Sequence, residues 1–257
     1  MNEARPPRVV VTRPAAQAEV WVERLRARGI AAESVPLIEI APGDDAAALA
    51  ARWSELASCR LVVFVSANAV LHFFAARPAA IAWPEGLDVA APGSGTAEAL
   101  RAAGRPAASI VTPAVDAAQF DSEALWARLR GRDWRGARVL VVRGDGGRDW
   151  LGERLREAGA QVDAVSAYRR HAPAFTGAER ARVEALAGEA DVVWLYSSSE
   201  AIGNLERSLG AARWHGGRAI ATHPRIAARA RALGFGRVIE AGPGIDAVVA
   251  CIQSIQP

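Results

Sequence analysis

Six short stretches hold most of the side chains that could bind or activate a ligand without a metal: TRP at Thr12–Pro14, SANAV at Ser66–Val70, PGSGTA at Pro92–Ala97, RGDGGRD at Arg143–Asp149, SSSEA at Ser197–Ala201 and THPRIA at Thr222–Ala227. Small hydroxyl residues and glycines dominate them. Hydroxyls beside unpaired backbone N–H groups suit anionic groups, although the same residue types also serve as helix N-caps. All 31 basic residues of the chain are Arg, and Lys is absent. That excludes Schiff-base lysine chemistry and the lysine of a phosphate-binding loop, and leaves planar, paired donors matched to carboxylates. His72, His171, His215 and His223, with Cys59 and Cys251, show no metal-ligand spacing, so no metal site is expected. GSGTAE at Gly93–Glu98 lacks the third glycine of a dinucleotide fingerprint and follows the middle of a unit. No Ser/His/Asp or Cys/His order stands out, and apart from His223 the histidines fall outside the expected strand ends.

Positioning these stretches requires a frame. Short β-branched runs bounded by turn residues predict strands at Val9–Thr12, Leu61–Val65, Val89–Ala91, Val139–Val142, Val192–Tyr196 and Ala219–Ala221, each leading into one of the six. Helical patterns lie between them. Gln17–Arg28 puts Trp21 and Leu25 on one face and stops at Gly29, and Leu151–Ala158 stops likewise at Gly159. Such alternation points to parallel sheets with helices on both faces, whose ligands bind beyond the C-terminal strand ends. The plan occurs twice. Val9, Arg13, Leu25, Gly29, Gly104 and Asp116 recur as Val139, Arg143, Leu155, Gly159, Gly234 and Asp246, at a constant offset of 130 (139 − 9). A cleft between two such units is the expected place for a ligand.

Two extended, Pro-bounded segments interrupt the alternation, VPLIEIAP at Val35–Pro42 and VSAYRRHAP at Val165–Pro173. Read as crossings, they make residues 1–35 plus 174–257 one α/β domain, 43–164 a second, and 36–42 with 165–173 an interdomain connector that could act as a hinge. Read otherwise, they are ordinary edge strands. Tyr168, one of two tyrosines, lies in the second segment. At the mouth of a cleft its hydroxyl, protonated at neutral pH, could give a proton to a departing hydroxyl; alternatively its ring packs against the hinge.

The chain's 257 residues, 51% of them apolar, can bury one large core or two ordinary ones, and the repeat favours two. Its longest apolar stretch, Leu61–Ala76, is broken by Ser66, Asn68 and His72, and no apolar signal-peptide core is present. A cytoplasmic protein is therefore expected, neither exported nor membrane-spanning. The net charge is +3, and without an Arg-rich run interleaved with aromatics no nucleic-acid partner is expected.

Taken in order, VVVTRP, VVFVSANAV, GSGTAEAL, SEALW at Ser122–Trp126, VLVVRGDGGRDWLGERLREAGAQVDAVSAYRR, DVVWLYSSSEAIGNL and ATHPRIAARARALGF resemble the uroporphyrinogen-III synthase family across nearly the whole chain. The resemblance implies two similar parallel-sheet α/β domains joined by a two-stranded connector, one of them formed by both chain ends. It implies a lyase that cyclises the anionic linear tetrapyrrole hydroxymethylbilane to uroporphyrinogen III, with loss of water and inversion of ring D, in haem biosynthesis. No metal or cofactor is implied. In such enzymes the ring A hydroxyl leaves to give an azafulvene, the substituted carbon of ring D attacks to form a spiro intermediate, and fragmentation and reclosure flip that ring. Unassisted closure gives the type I isomer, so the main task is holding a reactive chain in one geometry.

By the same resemblance the family tyrosine falls on Tyr168, as proton donor. The substrate's acetates and propionates would meet Thr12, Arg13, Ser66, Asn68, Ser94, Gly95, Thr96, Arg143, Gly144, Ser197, Ser198 and Ser199. One loop departs from the family pattern: a Gly-Pro-Thr-Thr-like turn is replaced by Thr222, His223, Pro224, Arg225 and Ile226, so His223 or Arg225 is expected to supply the missing contact. The implied protein is a monomer, and the resemblance allows a transient handover from the enzyme that makes hydroxymethylbilane. A cytosolic two-lobed small-molecule binding or regulatory protein without catalysis is the competing reading; such regulators usually carry an added DNA-binding domain, and none is found. A flavodoxin-like nucleotide enzyme lacks a credible phosphate loop.

Overall fold

A computed structural model describes residues 7–114, 121–210 and 214–255, and Asp116 of the sequence repeat lies outside them. Along the chain come β1 (Arg8–Val11), α1 (Ala15–Arg26), β2 (Ala32–Ser34), β3 (Glu39–Pro42), α2 (Ala46–Glu55), β4 (Leu61–Phe64), α3 (Ala67–Ala75), β5 (Asp88–Ala90), α4 (Ser94–Ala102), β6 (Ile110–Val111) and α5 (Ser122–Leu129). There follow β7 (Arg138–Gly144), α6 (Trp150–Glu157), β8 (Gln161–His171), α7 (Gly177–Gly188), β9 (Val192–Tyr196), α8 (Ser199–Leu209), β10 (Arg218–Ala221), α9 (Pro224–Leu233), β11 (Arg237–Glu240) and α10 (Ile245–Ser254). The chain divides into two compact units, one ending at Glu39 and resuming at His171, the other running from Ile40 to Arg170.

Within the continuous unit the sheet order is β3-β8-β7-β4-β5-β6, and the pairs β8–β7, β7–β4, β4–β5 and β5–β6 are parallel. Its central strand β4, Leu-Val-Val-Phe, is fully buried, as a parallel strand covered on both faces must be. Alternation sends Val62 and Phe64, with Leu140 and Val142 of β7, into a core built with α2, α3 and α4. Leu61, Val63, Val139 and Val141 face the other way, onto Leu125, Leu129, Leu151 and Leu155 of α5 and α6. Each such side chain contributes roughly 1.5–3 kcal/mol of burial.

The discontinuous unit orders its strands β11-β10-β9-β1-β2, and all four of its pairs are parallel. Val9 and Val11 with Val193 and Leu195 pack on α1 and α10. The opposite face carries Trp194, which meets Trp214 edge-on at 5.5 Å, and Tyr196, which meets Phe235 at 5.7 Å. α9 starts with Pro224 in its first turn behind the His223 cap and stops at Gly234, whose φ of 107° is one that a side chain resists.

The sequence repeat carries β1, β2, β9, β10 and β11 onto β7, β8, β4, β5 and β6, so both sheets have one strand order. The five-stranded sheet takes two strands from the first half of the chain and three from the second, whereas the six-stranded sheet, with β3 added at its edge, takes four from the first half and two from the second. Even burial repeats: Ala91–Leu100 and Ala221–Ala230 show the same residue-by-residue pattern of exposure. The two parallel-sheet α/β units expected from the sequence are present. So are all six predicted strands, while β2, β3, β6 and β11 are additional short strands. Of the two extended segments, the first is strand only at Glu39–Pro42 and the second belongs to a longer strand, and β3 and β8 are neighbours at a sheet edge. Among the described residues no helix is long and apolar enough to cross a membrane.

Candidate active site

In the continuous unit, Tyr168 is the centre of the arrangement. Strand β7 pairs Arg143 with Ser166 but Gly144 with Tyr168, so Ala167 is one residue too many and β8 bulges there. Bulges re-aim the side chains that follow. The Ala167 carbonyl, turned off the ladder, accepts from Gly43 N–H at 3.3 Å, and the Tyr168 carbonyl accepts from Asp145 N–H at 2.9 Å. The phenol ring lies against Gly144, where a Cβ would stand 2.7 Å from Cζ. Its hydroxyl is 2.9 Å from Ser66 Oγ, and the residue is only 4% exposed.

Ser66 is the N-cap of α3, accepting from Ala69 N–H at 3.2 Å. That uses one lone pair and leaves Oγ able both to accept from the phenol and to donate its own proton. Asn68 follows in the first turn of α3, half-buried. Ser94 and Gly95 open α4 exposed, whereas Thr96 is 7% exposed. The parallel register puts all these residues at the C-terminal end of one sheet.

Sequence reasoning set His72 aside because it lies beyond the strand ends. It sits on α3, and its imidazole stacks on the Tyr168 ring at 5.8 Å and 22°. Desolvation lowers its pKa from the ordinary value. The space that Gly144 opens by lacking a side chain is filled by the phenol. Arg143 is also less available than expected: Asp149 holds it at 3.6 Å and Arg156 at 2.7 Å.

The discontinuous unit collects a second set at its own C-terminal sheet end. Thr12 is not presented to a ligand. It is 1% exposed and its hydroxyl donates to the Leu195 carbonyl at 2.8 Å, tying β1 to β9. Arg13, the next residue, is half-buried, and desolvation lowers its pKa to about 10. Its guanidinium lies 4.3 Å from the centroid of the Trp21 ring, with no ion pair among the described residues, and its Nε is buried without a partner. Trp21 was legible only as part of a helix face.

Ser198 caps α8, accepting from Glu200 N–H at 3.1 Å, with Ser197 half-buried before it and Ser199 exposed after it. His223 caps α9: Nδ1 accepts from Arg225 N–H at 3.1 Å, a structural use of a ring expected to meet substrate. Arg225 is exposed in the first turn of α9. Ile226 occupies the position of Thr96 in the other unit, and each is 7% exposed. Among the described residues no group of three or more His, Cys, Asp and Glu is arranged to hold a metal ion.

A family profile described as uroporphyrinogen-III synthase HemD matches residues 19–250. The chain is 36% identical to a uroporphyrinogen-III synthase of Salmonella typhimurium over 67% of its own length and 69% of the relative's. To that of Escherichia coli it is 34% identical over the same shares. In fold it is similar to a mutant uroporphyrinogen III synthase from Thermus thermophilus, with a TM-score of 0.60 at 16% identity, covering 96% of this chain and 98% of that one. The uroporphyrinogen-III synthetase of Helicobacter pylori gives 0.61 at 14%, covering 97% and 100%.

Proposed function

The chain belongs to the uroporphyrinogen-III synthase family, and from that premise we propose how its residues carry out the work of this cyclising hydro-lyase of tetrapyrrole biosynthesis. The substrate is hydroxymethylbilane. The Tyr168 hydroxyl, directly or through Ser66 Oγ, protonates the ring A hydroxyl as it leaves as water. The substituted α-carbon of ring D attacks the azafulvene. The spiro intermediate then fragments, and closure occurs through the free α-carbon of ring D, which loses its proton. Net, one water is lost and no electrons are exchanged. The carrying observation is the 2.9 Å contact between two hydroxyls at a sheet's C-terminal end, beside a helix N-terminus.

Substrate carboxylates are assigned to Arg13, Ser94, Thr96, Arg143, Ser197, Ser199 and Arg225 and to the open N–H groups of the helices they begin. Arg225 stands beside Ile226, the residue that carries no hydroxyl where Thr96 has one. Segments 36–42 and 165–173 serve as links between domains 1–35 with 174–257 and 43–164. The enzyme acts in the cytoplasm as a monomer and takes its substrate from the enzyme that makes it.

Hydroxymethylbilane generated in situ, followed by oxidation and separation of isomers, tests the reading. Type III should dominate when the protein is present, whereas type I alone with folded protein refutes it. Arg225→Ala should raise KM several-fold with kcat little changed; an unchanged KM removes Arg225 from the site.

A further inference from the structure

We propose that Trp21 is a positioning residue, its indole face holding the Arg13 guanidinium where a counter-carboxylate would otherwise be needed, so that the guanidinium edge stays open for a carboxylate of the tetrapyrrole. The inference rests on the reading of Arg13 as a substrate ligand. Three observations carry it: the 4.3 Å stacking distance, the absence of any ion pair to Arg13 among the described residues, and the buried, unpartnered Nε.

A desolvated guanidinium is held in one of two ways. A carboxylate takes up its in-plane N–H groups, as Asp149 does for Arg143 and Arg156. An aromatic face attracts the cation through its quadrupole and uses none of those donors. Only the second leaves the planar fork available for a bidentate bond with an incoming carboxylate. A neighbouring Asp or Glu would also repel that carboxylate.

The helix fixes the platform. Ala18, Val22 and Leu25 are the buried face of α1, and Trp21, one turn before Leu25, is partly buried against the same core. Arg13 sits just past β1, directly after the residue tied to β9. Both partners therefore ride on elements packed together, and the guanidinium is oriented before substrate arrives.

Steady-state kinetics of the full chain with hydroxymethylbilane made in situ would test this with Arg13→Ala, Trp21→Ala, Trp21→Leu, Trp21→Phe and the double variant Arg13→Ala/Trp21→Ala. Trp21→Leu keeps apolar packing on α1 and removes the aromatic face. Trp21→Ala and Trp21→Leu should each raise KM about tenfold with kcat within about twofold, and Trp21→Phe should recover most of the loss. The double variant should be no worse than Arg13→Ala. Wild-type KM in Trp21→Leu, or a further loss from Trp21→Ala when Arg13 is already gone, overturns the platform. Wild-type KM in Arg13→Ala overturns the underlying assignment of Arg13 instead.

Discussion

Replacing Gly144 by alanine puts a methyl group where the phenol of Tyr168 lies. The new Cβ would stand 2.7 Å from Cζ, 3.0 Å from Cε2 and 3.1 Å from Cε1. Carbon atoms in ordinary contact are about 3.5–4.0 Å apart, so ring and strand must separate by about 1 Å. Gly144 is not among the glycines with positive φ, so the backbone itself accepts alanine and the whole effect is this contact. The ring has little room to yield, being 4% exposed and stacked on His72. Its hydroxyl is attached to the atom struck hardest, and the 2.9 Å contact with Ser66 cannot survive a shift of that size.

Overpacking of this kind costs about 1–3 kcal/mol, less than the stability of an ordinary domain, and the variant should fold. A reacting group displaced by about 1 Å loses up to about a hundredfold in rate. Gly144→Ala should therefore lower kcat by about 30- to 100-fold, with KM nearly unchanged, in the range a general acid supplies. Tyr168→Phe, which keeps the ring and removes the proton, should fall comparably without abolishing turnover, because the leaving hydroxyl is already labile. The double variant should be no slower than the slower single one. The coupled isomer assay reads all three, and the type I fraction should rise as the slowed enzyme loses the race with unassisted closure. Tyr168→Phe at the wild-type rate would falsify the donor assignment, whatever Gly144→Ala does.

Two further expectations concern stability. The Tyr196 hydroxyl is fully buried with no hydrogen-bond partner among the described residues, so Tyr196→Phe should be neutral or stabilising by about 1 kcal/mol in urea unfolding; a loss of that size would mean that the hydroxyl is in fact bonded. His72 has a folded pKa held by burial below the ordinary 6.5. Below pH 6.5 the unfolded chain takes up the proton first, so this contribution to stability is complete above that pH and is lost as pH falls through the folded value. Urea midpoints should thus fall more steeply with acidification in the wild type than in His72→Gln, and parallel slopes would show that His72 is not coupled to folding.

Much of the frame was legible because it is written in local pattern. Runs such as Leu61–Phe64 and Val192–Tyr196 are buried on both faces and read as strands, and glycines past α1 and α6 mark real helix ends. The same offset of 130 carries Thr96 onto Ile226, and the two stand at equivalent places in the first turns of α4 and α9. Edge strands were less legible: Glu39–Pro42 and Arg237–Glu240 have exposed ends and half-buried centres, and Ile110–Val111 is only two residues long. The site was legible as loops but not as contacts. Nothing near Thr12 tells that Leu195 takes its hydroxyl, and nothing near Gly144 tells that a ring from the next strand fills its missing side chain. Those partners are fixed by strand register and by a one-residue bulge, and no local pattern announces either.

The sharing of strands between the two halves of the chain also sets an order of events during synthesis. Every strand of the continuous unit has been made once β8 is complete, so that unit can close while the remainder is still being translated. The other cannot. Its central pairing joins Thr12 to Leu195 across 183 residues, so β1 and β2 must wait beside a finished neighbour until β9 and then β10 leave the ribosome. Contacts this distant in sequence form slowly, and during the wait the apolar faces of Val9–Val11 are uncovered. That interval makes the amino-terminal strand pair the segment most exposed to aggregation or to chaperones, although Val9, Val10 and Val11 end fully buried in the folded enzyme.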